Sequence, residues 1–376
     1  MAGAAGVLRG VPMSMNGTMH VLYSFRAEGC PRLALGLLEA ELKQTNRIGS
    51  VVTITDEFCD LEPEFRKLTP KISCLHRKQK DFVKVGFRAR RLMREWKPSG
   101  IICYPLGFHV PIAAAAVSLR IPAVATIQNA PPEGPPAAVR KLQICLLAGV
   151  PFVRRYAACS DFVNVQSCRA YRIPKRLVAT VPNGIPLGEF FRCRQKRMSV
   201  ARRRDFLHVG MVASFECHKD QSTLLAAVAH IHRRGRPVKL SLIGAGSQEK
   251  RLREETAALG IMEFVNWPGC VSDVASQLGY LDVFAYSVHG QEGLGIALVE
   301  ALAAGVPVVA SDVGACREVL ENGRWGALVK QGDPQALADA IIETSLTPPP
   351  PPESVRRFDI LDTFHAYQSL LSRANV

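Results

Sequence analysis

The chain has 376 residues, 48% of them hydrophobic, and a formal net charge of +14. That length exceeds what one hydrophobic core usually organises, so two domains are the natural expectation. A mean hydropathy near zero argues against a disordered chain, and no apolar run reaches the roughly 18–20 residues of a membrane-spanning helix.

The positive charge calls for an anionic partner: nucleic acid, anionic lipid or a nucleotide diphosphate. No nucleic-acid-binding motif accompanies it, so a nucleic-acid partner is not expected. Before Met19 a single arginine, Arg9, and an Ala/Gly/Met mixture broken by polar residues make poor export-signal material. Eleven cysteines, with no C-x-x-C pair, suggest neither a disulfide framework nor a zinc site. Reduced thiols in a cytoplasmic protein without a metal are the expectation.

In chain order, HVLYSF at 20–25 reads as a strand, 28–31 as a turn and 32–43 as an amphipathic helix. Short β-branched runs recur at 51–55, 100–104, 122–127 and 178–181, separated by helical segments, as in a parallel sheet. Between residues 66 and 97 lie twelve Lys/Arg against two acidic residues. There Phe82, Val85, Ala89, Leu92, Met93 and Trp96 share one helical face, while Lys84, Arg88 and Arg91 point elsewhere. A helix near 81–97 should bury that stripe and leave its basic face for solvent or anionic lipid head groups. The apolar run 142–153 is too short to span a bilayer and suits either a core or an interfacial segment.

Residues 191–205 are polar and basic, without helical or strand period, and read as a linker. The second half repeats the plan of the first, with strands expected at 206–214, 238–244, 264–269, 282–287 and 307–311. Five prolines at 348–352 form a stiff spacer before a last helix at 360–373. The expected architecture is α/β: a doubly wound domain at 1–190, the linker, a second doubly wound domain at 206–347, and the spacer with its helix at 348–376.

The chemistry concentrates in SVHGQEGLGIALVEALAAGVPVVASDVGACREVL, residues 287–320, which leaves a strand and enters a helix. Ligands bind beyond the carboxyl ends of such strands. Gly293 and Gly295 permit close backbone approach, and the helix start offers free N–H groups to a diphosphate or a sugar. Glu300, eight residues after Glu292, sits in an apolar helix where an unpartnered charge is costly, and vicinal sugar hydroxyls would partner a carboxylate there. From chemistry alone, two solvated glutamates are an equal alternative. LIGAGS at 242–247 has a lone G-x-G; Glu249 stands where a third glycine is needed, which excludes a dinucleotide-binding dehydrogenase.

The string E-G-L-G-I-A-L-V-E followed by A-x-G-x-P-V-V-A-S closely resembles the E-x7-E donor motif of glycosyltransferase family four, and GALVKQGDPQALADAI at 326–341 continues the likeness. The resemblance covers the second half. It implies a GT-B fold, two Rossmann-like domains facing a cleft with a C-terminal helix crossing back, and retaining transfer of a hexose-type sugar from a nucleotide diphosphate donor to a glycan or lipid-linked acceptor. It further implies Glu292 near the donor sugar hydroxyls, Glu300 on the ribose, and backbone groups of Gly293, Leu294, Gly295 and Ile296 along the sugar and phosphates.

VASFECHKDQSTLLAA resembles the family's diphosphate clamp, in which Lys219 matches the lysine while Ser214 stands at the arginine. Gly244 would edge the nucleotide. In the first half, EGCPRLALGLLEAEL at 28–42 and TVPNGIPLGEF at 180–190 resemble the family less tightly. Gln128 takes the place of a common histidine near the reacting centre, leaving His109 as the nearest alternative histidine, although a lone histidine beside an apolar helix start is more often simply packed. The replacements at Ser214 and Gln128 also motivate a second reading, a non-catalytic accessory subunit on the same scaffold.

Overall fold

The computed structural model describes residues 14, 16–57, 59–75, 81–132, 136–199 and 205–372. The stretch with Arg9 and residues 76–80 of the basic region lie outside these. The first domain runs β1 (Met19–Leu22), α1 (Gly29–Thr45), β2 (Ser50–Thr53), α2 (Glu62–Leu68), β3 (Ile72–Cys74), α3 (Phe82–Trp96), β4 (Ile101–Cys103), α4 (His109–Val117), β5 (Ala123–Ile127), α5 (Pro136–Gly149), β6 (Arg155–Ala158), α6 (Asp161–Tyr171) and β7 (Val178–Thr180). Its sheet has the order β3-β2-β1-β4-β5-β6-β7, with every pairing parallel.

After α7 (Leu187–Ser199), the second domain runs β8 (Leu207–Val212), α8 (Gln221–Arg233), β9 (Val238–Ile243), α9 (Glu249–Ala258), β10 (Val265–Gly269), α10 (Val274–Gly279), β11 (Val283–Tyr286), α11 (Ile296–Ala303), β12 (Val308–Ser311), α12 (Gly314–Val319), β13 (Ala327–Val329) and α13 (Pro334–Thr344). Its order is β10-β9-β8-β11-β12-β13, again parallel. In both sheets the winding reverses beside the first strand, between β1 and β4 and between β8 and β11. Crevices open at such reversals.

Local chemistry explains the helix starts. Ser160, Asp220, Asp273 and Asp333 each accept a backbone N–H from the third residue beyond, satisfying one orphan donor of α6, α8, α10 and α13. α11 has no such side chain. Its first position is preceded by Gly295, left-handed at φ 84°, so the helix presents bare N–H groups.

One expectation fails at the domain junction. Residues 191–199 are helical, as part of α7, and only the remainder of the supposed linker lacks regular structure or lies outside the described residues. Leu187, Phe190 and Arg194 are buried at helical spacing, with Arg194 packed over Gly305. An arginine in the buried stripe hid the periodicity. α7 packs on α10 and α11 of the second domain.

The spacer and last helix follow the expectation. A short 3-10 helix (Pro352–Phe358) packs on α11, and α14 (Ile360–Ser372) packs on α1 of the first domain. Phe358 and Ile360 clip the crossing to Ile185 by backbone hydrogen bonds of 2.8 and 3.0 Å.

α3 buries Val85, Ala89 and Met93 as its pattern requires. Phe82 departs from the expected stripe: it is more than a third exposed and stacks on Phe108 at 5.0 Å, because the first turn of α3 overhangs the layer. Val83 and Phe87 are about 70% exposed. Among the described residues no helix is long and apolar enough to cross a membrane.

Candidate active site

A cavity of about 300 Å³ lies between the domains, where the loop after β1 faces the loops after β8 and β11. Both winding reversals therefore open into it. Glu292, Glu300, Lys219, Ser214, Gly244, Leu294, Gly295 and Ile296 all line it, so the structure gathers eight of the ten sequence-derived candidates.

Glu292 is 7% exposed. One carboxylate oxygen accepts from the Lys219 ammonium and, at 2.9 Å, from the Tyr286 hydroxyl; the other accepts from the Gly293 amide at 3.1 Å. Lys219 also donates to Tyr286 at 2.9 Å. Burial alone would raise the Glu292 carboxyl, but the Lys219 charge and the hydrogen bonds from Lys219 and Tyr286 outweigh it and hold it below the usual carboxylate range. This glutamate is a fixed anion.

Glu300 is equally buried but differently placed. Its carboxyl accepts no hydrogen bond among the described residues. Burial pushes it up to about 7, against the opposing charge of Arg32 and with help from Glu189. An apolar helix thus holds a carboxyl at the cavity wall with its bonding capacity unspent. Between the two glutamates, the bare start of α11 turns its N–H groups and positive dipole end inward.

Two candidates are not brought into the cavity. His109 is fully buried at the start of α4: Nδ1 accepts from the Gly107 amide at 3.0 Å and Nε2 contacts the Tyr156 hydroxyl at 3.2 Å. Burial lowers it to about 4, so it is a neutral packing group, and its assignment as a catalytic histidine is corrected. Gly293 is wedged instead between the domains. A Cβ there would stand 2.0 Å from the Gln128 carbonyl, and its own carbonyl accepts from Ser160 at 2.6 Å.

Residues that sequence reasoning did not single out complete the walls. Tyr286, at the end of β11, fixes Glu292. Asn183 donates to the Gln128 side chain at 2.7 Å, leaving the Gln128 amide nitrogen and the Asn183 oxygen buried and unpaired at the cavity. From the first domain, Arg26 bonds Glu216 at 3.1 Å and Arg32 donates to the Val271 carbonyl at 2.9 Å. Away from the cavity lining, Glu318 of α12 also joins the domains, accepting from the backbone N–H groups of Asp161 and Phe162 at 3.0 and 2.7 Å. Except for Tyr286 with Glu292, these contacts pair segments far apart in the chain, so no local motif announces them.

Two doubly wound domains that face a common cleft, with a returning C-terminal helix, define the GT-B class of architecture. The solved Anabaena HepE in complex with UDP-glucose superposes with a TM-score of 0.74 at 19% identity, over 95% of this chain and all of that one. Family models match in both halves: "Glycosyltransferase Family 4" at residues 46–189 and "Glycosyl transferases group 1" at 194–357. The chain belongs to this glycosyltransferase family.

A phosphatidyl-myo-inositol mannosyltransferase of Mycobacterium leprae is 41% identical over 129 residues, 34% of each chain. A GDP-mannose-dependent alpha-(1-6)-phosphatidylinositol monomannoside mannosyltransferase of Mycobacterium tuberculosis is 32% identical over 133 residues, 33% of this chain and 34% of the relative. The match spans about a third of the length of these two relatives.

Proposed function

We propose that the chain transfers a hexose-type sugar from a nucleotide diphosphate sugar to an acceptor hydroxyl in the interdomain cleft, with retention at the anomeric carbon. The observation that carries this reading is the joint placement of the Glu292–Lys219–Tyr286 network, the bare start of α11 and the unspent Glu300 carboxyl along one cavity. Diphosphate oxygens suit Lys219 and the α11 amides, and the ribose diol suits Glu300. Glu292 suits the sugar hydroxyls. In the transfer the bond from the anomeric carbon to the diphosphate breaks, a bond to the acceptor oxygen forms, and the acceptor proton passes to the leaving diphosphate.

The name of the Mycobacterium tuberculosis relative favours GDP-mannose as the donor, and the names of both relatives favour a phosphatidylinositol-type lipid as the acceptor. The outer face of the first domain supports a lipid acceptor. There α3 exposes Val83 and Phe87 beside Arg91 and Arg94, and α5, on the other side of α4, exposes Ile144 and Leu147 with Arg140 and Lys141. Apolar side chains ringed by basic ones fit an anionic membrane surface.

Melting the purified protein with UDP-, GDP-, ADP- and dTDP-sugars tests the donor first. A ligand at 100 times its Kd adds about 2.7 kcal/mol of stability. One nucleotide class should raise the Tm and lose that effect in Glu300→Ala. With that donor, Glu292→Gln should lower transfer about a hundredfold or more while the chain stays folded. Wild type unmoved by all four donors would leave the accessory-subunit reading in its place.

A further inference from the structure

A sugar nucleotide carries two phosphate charges, and a partly dehydrated cleft must offset both. On the second-domain wall Lys219 supplies a cation, already shared with Glu292, while Ser214 supplies none. The facing wall offers two arginines. Arg32, held on the Val271 carbonyl, is the charge that acts on Glu300, which assigns it to the ribose end. Arg26, on the loop after β1, reaches across the cleft to Glu216, two residues beyond Ser214, and pairs at 3.2 Å with Glu28 of its own loop. Its guanidinium is thereby delivered to the loop after β8, near the position where Ser214 supplies no charge.

We propose that Arg26 is the second diphosphate-binding cation, contributed by the first domain in place of the side chain missing at Ser214. Glu28 and Glu216 hold it in position. Both pairs are partly open to solvent, so trading a carboxylate for a phosphate oxygen costs little. A consequence is that the donor bridges the domains: its phosphates touch Lys219 on one side and Arg26 on the other, so binding favours the closed cleft.

The assignment rests on the cavity being a nucleotide-sugar site, and the test separates the two. Calorimetric Kd values for GDP, UDP and their monophosphates would be compared in wild type, Arg26→Ala, Arg26→Lys and the double variant Arg26→Ala with Ser214→Arg. In Arg26→Ala the diphosphate should bind about ten- to a hundredfold more weakly and the preference for diphosphate over monophosphate should shrink. Arg26→Lys should retain part of the affinity, and the double variant should regain most of it.

Equal weakening of mono- and diphosphate would mark Arg26 as merely structural and overturn the assignment. So would unchanged diphosphate affinity in Arg26→Ala, or a folded double variant without recovery. Should Arg26→Ala fail to fold, Arg26→Gln carries the same comparison. Wild type that binds neither GDP nor UDP overturns the nucleotide reading itself, and this assignment with it.

Discussion

Glu292 and Glu300 lie eight residues apart, yet their surroundings drive them in opposite directions. Lys219 and Tyr286 keep Glu292 ionised; burial in an apolar helix lifts Glu300 to about 7. A carboxyl raised in the folded state favours folding fully below its ordinary value of about 4.5, and that contribution is lost as pH rises through about 7. The difference amounts to roughly 3 kcal/mol. The melting temperature without ligand should therefore fall between about pH 4.5 and 7, and donor-sugar affinity should rise as pH passes through about 7 and the ionised carboxyl becomes available to ribose hydroxyls. Glu300→Gln should flatten both profiles; an unaltered slope would show that another group controls them.

The glycines and the strand-to-helix turn around the two glutamates were readable from the residues, but only the likeness to the E-x7-E motif set them apart from two solvated glutamates. Their contrasting ionisation was not legible. It depends on burial, on Tyr286 six residues before Glu292, and on Lys219, Arg32 and Glu189, which the fold brings from other segments. His109 shows the converse: the sequence offered it both as an alternative histidine near the reacting centre and as a packed one, and its ring turns into the core against Tyr156.

At the scale of elements, strongly periodic segments were readable and short or mixed ones were not. β3 and β13 escaped notice because they are edge strands with no fully buried residue, and β6 because it opens on an arginine. α7 escaped because Arg194 interrupts its buried stripe. α3 was legible as an amphipathic helix, but its first turn projects apolar side chains outward. If that face meets anionic lipid, Phe87→Asp should weaken sedimentation with phosphatidylglycerol-containing vesicles several-fold and leave the Tm within a degree or two, since Phe87 is about 70% exposed. Wild-type and variant protein sedimenting alike would remove α3 from the membrane contact.

For the whole molecule, the alternation of strand and helix announced two parallel sheets, the proline run marked a spacer, and the family likeness implied a return of the chain. The contacts of that return with the first domain were beyond reading, because they join residues more than 170 positions apart. Val355, Phe358, Ile360, Phe364, Tyr367, Leu370 and Leu371 are all buried by it. At about 1.5 kcal/mol each, these side chains contribute up to roughly 10 kcal/mol, comparable with the net stability of a domain. A chain ending at Thr347 should melt well below the full chain or in two separate steps. A single unshifted transition would show that the crossing segment holds nothing together.

The Glu318 carboxylate makes the first turn of α6 dependent on the other domain. When the cleft parts, the amides of Asp161 and Phe162 lose their acceptor and meet water, while Val163 keeps its bond to Ser160. Neighbouring amides of one helical turn then report on different events: Val163 on fraying of the helix, Asp161 and Phe162 on separation of the domains. The molecule carries, in three consecutive hydrogens, a gauge of how often it opens and a reference against which to read it.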